Sequence, residues 1–143
     1  MVGEDRAPTR GSAPARRDPT ICERDAVKVL AILDDHPGAS ARATALLRIL
    51  VELVSRRPDV EITLLLDGQA LRLAVGELPP RTGRYCVTHL VESVRLTGGT
   101  VAASAVGLAV RGIPRSALRR GVVPMMPLQV EALAEASDRV WRF

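Results

Sequence analysis

The chain is poor in aromatic side chains: among its 143 residues only Tyr85, Trp141 and Phe143 carry a ring of that kind. A platform that stacks successive bases of single-stranded nucleic acid needs more ring faces than these. Cysteine is scarce as well. Cys22 and Cys86 cannot build a disulfide framework or a four-cysteine zinc site. Lys28 is the only lysine, so arginine supplies nearly all of the positive charge. The longest uncharged apolar run, Val101–Val110, is about half of what a bilayer-spanning helix requires and is rich in Ala and Gly. No apolar stretch follows the charged N-terminal residues, so a secretory signal is not expected. These absences exclude membrane, collagenous, disulfide-stapled and zinc-ribbon classes, and with the low cysteine content they predict a cytoplasmic protein.

What is present reads as a folded domain. Hydrophobic residues make up 47% of the chain, and 20 basic against 16 acidic side chains leave a net charge of +4. The excess is local. Charges cancel over residues 1–92, whereas residues 93–130 hold Arg95, Arg111, Arg115, Arg119 and Arg120 without a single acid. Such a field attracts a small anion or an acidic protein partner. Phosphate contact alone would be sequence-blind, and no recognition-helix motif accompanies it, so nucleic acid is not the expected partner. Residues 1–25, broken by Pro8, Pro14 and Pro19 and short of long aliphatics, read as a disordered N-terminal tail. Residues 26–143 read as one domain.

Within that domain, strand and helix patterns alternate. Val27–Leu33 is an apolar run suited to a strand buried on both faces. Ala43, Leu46, Leu47, Leu50 and Val54 follow at helical spacing, and Pro58 stops that helix. Glu61–Leu66 predicts a second strand and Gln69–Val75 a short helical turn. Val87, Leu90, Val91 and Val94 place one apolar face on a helix over Arg84–Leu96. Thr100–Ala103 predicts a small-residue strand, Ser104–Val110 a helix, and Arg115–Arg120 another with Pro114 in its first turn. Val122-Val123 is expected as a short strand, Pro127–Ala136 as a helix with Leu128, Leu133 and Ala134 inward, and Val140–Phe143 as a terminal strand. Alternation of this kind predicts a three-layer α/β/α fold with a mostly parallel sheet of about five strands.

Ligands of open parallel sheets bind past the carboxyl ends of the strands. That rule brings together three loops, Asp34–Ser40, Asp67–Gln69 and Ser104–Gly107. Asp34, Asp35 and Asp67 end two strands there, as turn residues or as carboxylates for a hard cation or acid–base work. His36 and His89 are too scattered for zinc, and neither a metal nor an organic cofactor is expected. Ser104 follows a strand where it can cap a helix or, with Arg111 nearby, help hold an anion. Cys86 and His89, three residues apart, form a possible thiolate dyad, although Cys86 borders the apolar helix face, where a free cysteine usually behaves as a small core side chain. The phrase Leu33-Asp34-Asp35-His36-Pro37 looks like the opening of a response-regulator receiver domain. The phosphoacceptor Asp and later Lys of such a domain have no counterpart here.

The order of these pieces resembles the DsrE/DsrF-like sulfur-relay proteins. The matching segments are Ala39–Ala43, Val60–Gly68 with Gln69–Ala74, Gly99–Ala103, Arg111-Gly112-Ile113, Gly121-Val122, and Leu133–Phe143. Catalytic members carry a sulfur-accepting cysteine seven residues before the Arg of the Arg-Gly-Ile segment, and some carry a second four before it. The resemblance places these at Ser104 and Gly107. It further implies a homo-oligomer, a trimer or hexamer, or a hetero-complex with a related subunit. The expectation is thus a non-catalytic or noncanonical subunit of a sulfur-relay or small-ligand-binding process. Candidate ligand-binding residues are Ser104, Gly107, Arg111, Asp34 and Asp67. Two alternatives stand beside it: a sulfurtransferase or thiol oxidoreductase using Cys86 with His89, and a regulator docking through Arg111–Arg120.

Overall fold

The computed structural model describes residues 26–34, 41–76 and 87–143. The expected N-terminal tail and the segment holding Cys86 lie outside the described residues. Strands β1 (Val27–Leu33), β2 (Val60–Leu66), β3 (Thr100–Ser104), β4 (Val123–Met125) and β5 (Arg139–Arg142) form one five-stranded sheet in the order β4-β3-β2-β1-β5. Every pairing is parallel. β1 and β2 run in register from Val27 opposite Val60 to Leu33 opposite Leu66. Their near-continuous burial is what a central strand covered on both faces requires.

Side chains of a strand alternate between faces, so the register sorts them into two layers. One face carries Val29, Ala31, Leu33, Ile62, Leu64, Leu66, Val101 and Ala103, packed with Leu46, Leu47 and Leu50 of helix α1 (Ala41–Arg56) and with Leu90, Val91 and Val94 of helix α2 (Val87–Leu96). The other face carries Leu30, Ile32, Leu65 and Ala102, against which Met125 and Val130, Leu133 and Ala134 of helix α4 (Pro127–Ala136) pack. The chain steps one way across the sheet from β1 to β4, then returns past β1 to lay down β5. Right-handed crossovers put the connections of opposite direction on opposite faces, which is why α4 stands alone opposite α1 and α2 among the described helices. The expected three-layer α/β/α architecture is the observed one.

Three local expectations are corrected. Leu128 does not face inward and is 79% exposed. The inward residues Val130, Leu133 and Ala134 repeat at i, i+3 and i+4, and Leu128 lies nearly opposite that stripe. The helix expected over Arg115–Arg120 is a single 3-10 turn, Arg115–Ala117. It stops because the Arg119 amide donates across to the Ala74 carbonyl at 2.8 Å. The strand expected at Val122-Val123 runs over Val123–Met125, and Val122 is buried in the larger core.

Candidate functional site

Helix α3 (Ala105–Val110) leaves β3 with Leu108 in the core of the first face, whereas α4 leaves β4 for the other face. Where neighbouring connections part in this way, a crevice opens beyond the strand ends. A cleft of about 690 Å³ lies there, between α3 and α4. The register explains its floor. Ala102, Leu65, Ile32 and Arg142 are successive partners across β3, β2, β1 and β5, on the α4 side of the sheet. Leu65, Ile32 and Arg142 line the cleft, with Ser104 and Met125 one step further along their strands.

Ser104 is the N-cap of α3: its Oγ accepts the Gly107 N–H at 3.1 Å. Asp67 caps the 3-10 turn Gly68–Ala74, its Oδ1 accepting the Gly68 N–H at 2.8 Å. The two caps meet at Gly107. A Cβ added there would lie 2.6 Å from Asp67 Oδ1, 2.9 Å from Leu71 Cδ1 and 3.3 Å from Ser104 Oγ. Glycine therefore lets α3 approach the Asp67 turn this closely without displacing the Asp67 and Leu71 side chains. Gly68, at φ +52°, is fixed by the same kind of crowding, since its added Cβ would lie 2.9 Å from the Asp34 carbonyl oxygen.

The structure thus gathers Ser104, Gly107, Asp67 and Arg111 around one cleft. Arg111 is exposed at the C-cap of α3. Asp34 is placed otherwise. It ends β1 with its amide donating to the Phe143 carbonyl, and it is not among the residues lining the cleft. Asp35 and His36 lie outside the described residues. His89 is buried on α2, which covers the opposite face of the sheet, and it does not line the cleft. Cys86 lies outside the described residues. No group of three or more His, Cys, Asp or Glu among the described residues is arranged to hold a metal ion.

Sequence reasoning missed Arg142, Glu131 on α4, and the floor pair Ile32 and Leu65. Arg142 was open to discovery, because strand alternation sets it on the face opposite Trp141. The membership of Ile32, Leu65 and Glu131 depended on which face α4 covers, and that follows only from strand order.

The arginine-rich segment divides in two. Arg95 donates to the Glu92 carboxylate, and Arg119 Nε lies 3.7 Å from the same carboxylate while its Nη2 donates to the Leu73 carbonyl. The Arg95 hydrogen bonds, with lesser help from Arg119, hold the Glu92 carboxyl below its ordinary value against the opposing effect of burial. Burial pushes the Arg119 guanidinium down, and Glu92 opposes that shift. Arg119 is thus a structural ion-pair member, its side chain only 9% exposed. Arg111, Arg115 and Arg120 remain on the surface.

No family model matches the chain, and no curated protein matches it significantly. Solved structures do. The ychN protein from E. coli superposes with a TM-score of 0.72 at 19% identity, covering 82% of this chain and 99% of its own. The chain shares the ychN fold. MTH1491 of Methanobacterium thermoautotrophicum, a protein of unknown function, gives a TM-score of 0.62 at 16% identity over 83% of this chain and 100% of its own. BT1422 of Bacteroides thetaiotaomicron, a conserved protein of unknown function, gives 0.59 at 13% over 87% and 99%. As with ychN, the likeness runs nearly the whole length of each neighbour, so the five-stranded parallel sheet and its helices are the common element.

Proposed function

We propose that this chain is a DsrE/DsrF-like subunit of a sulfur-relay or small-ligand-binding process that binds its ligand in the carboxyl-edge cleft and does not itself carry sulfur. The supporting observation is Ser104. It lines the cleft and caps α3 at the position where the sequence resemblance puts the carrier thiol. A hydroxyl is barely ionised near neutral pH and cannot hold a transferable sulfane sulfur as a thiolate does. The fold shared with ychN agrees with the resemblance in sequence order. Assembly with further copies or a related subunit belongs to this reading, and the exposed Val110, Met126 and Leu128 suit a covered surface.

Mass spectrometry after incubation with a persulfide donor tests the proposal. The native protein is expected to gain no sulfur, whereas S104C gains one sulfur atom at position 104 as the donor leaves as a thiol. Stoichiometric persulfide on Cys86 would make the chain a carrier and overturn the reading. A second reading, docking of an acidic partner through the basic segment, draws on the exposed Arg111, Arg115 and Arg120.

A further inference from the structure

We infer that the cleft takes an amphipathic monocarboxylate, with its acid group on Arg142 and its apolar body laid across Ile32 and Leu65 toward the Ser104 loop. This deepens the proposed function and rests on the reading of the cleft as a ligand site. The floor decides the body of the ligand. Ile32 and Leu65 are neighbours in register and nearly buried at the base, and Met125, Val130 and the more exposed Val106 and Val140 add apolar surface around them. An apolar surface enclosed in this way favours an apolar ligand over water.

Charge decides the head. Four charged side chains line the cleft, Arg111 and Arg142 against Asp67 and Glu131. Asp67 is already engaged as the cap of the 3-10 turn and pressed against Gly107. Neither arginine makes an ion pair with a described carboxylate and Glu131 makes none with a described cation, so Asp67 is the one engaged charge of the four and the uncommitted ones are two positive against one negative. Glu131 nevertheless repels a second negative charge, which disfavours a dianion such as phosphate. A guanidinium fork matches a carboxylate in two parallel hydrogen bonds.

Position separates the two arginines. Arg142 is fixed by the β1–β5 ladder opposite Ile32, on the same face as the floor. It stands three strand steps from the column of Ser104, roughly 14 Å at the usual strand spacing. Arg111 stands at the rim, past the last turn of α3, where it steers an approaching anion more than it holds one.

Isothermal titration of the full chain with decanoate, decanol and inorganic thiosulfate tests the inference. Decanoate is expected to bind once per chain, at least about tenfold more tightly than decanol. R142Q should weaken decanoate roughly 10- to 100-fold and leave decanol unchanged, a split that a merely structural role would not produce. R111Q should change decanoate affinity by less than about threefold and lower its salt dependence. Absence of decanoate binding, equal affinity for acid and alcohol, or an indifferent R142Q overturns the inference. Should R142Q fail to fold, the preference of the unaltered chain for acid over alcohol still decides it. Thiosulfate bound where decanoate is refused overturns the ligand class and leaves the proposed function standing. Persulfide on Cys86 overturns that function and leaves this binding result untouched.

Discussion

At Gly107, inside a short helix, alanine would ordinarily stabilise by up to about 1 kcal/mol through helix propensity. The Asp67 oxygen, 2.6 Å from the point where a Cβ would sit, reverses the sign. G107A is expected to lose roughly 1–3 kcal/mol in urea melts. D67A together with G107A should recover part of that loss, because the two positions share one contact. Ser104 gives a smaller effect: S104A removes the cap on Gly107 N–H and should cost about 0.5–2 kcal/mol. Ser104, Asp67 and Gly107 were legible as a loop cluster in sequence, since strand ends and caps have local signatures. The collision between Asp67 and Gly107 was not, because nothing local reports how closely α3 approaches the turn after β2.

Helices α1 and α2 follow their apolar periodicity closely, and their inward residues are those the spacing marked. Periodicity was weaker in α4, which has apolar residues on several sides, and Leu128 was misplaced for that reason. L128K should change stability by less than about 0.5 kcal/mol, whereas L47A in α1 should cost about 2–5 kcal/mol, both read from chemical denaturation. The link between α2 and the turn before β4 is ionic. Glu92, held below its ordinary carboxyl value by Arg95 and then Arg119, contributes stability that is full above the ordinary carboxylate range. That contribution fades as pH falls through the lowered value. The gap between wild type and E92Q, expected at roughly 1–3 kcal/mol near neutral pH, should therefore narrow as pH falls below the ordinary carboxylate range in melts run across pH. Charge counting had grouped Arg95 and Arg119 with an acid-free basic segment. Their partner, Glu92, stands just upstream of it, and only the tertiary fold brings Arg119 back to it.

Over the whole molecule, the two sides of the sheet are unequal. The side under α1 and α2 holds the larger core, while α4 has no fully buried residue. Amide hydrogen exchange should therefore show β1 and β2 opening only with global unfolding, and α4 exchanging through cheaper local openings. The alternation of strand and helix made the fold class readable. The position of β5 beside β1 was not, since no local pattern reports which edge a returning strand will join. That placement also bears on synthesis. Lys28 and Asp138 bond across 110 residues of sequence. During translation, the first strand therefore waits with one flank bare until the ribosome has released nearly the whole domain. A nascent chain stalled before Arg139 would display that flank as a template for wrong pairing, so a trigger-type chaperone is expected to stay bound to stalled chains and leave once the last strand emerges.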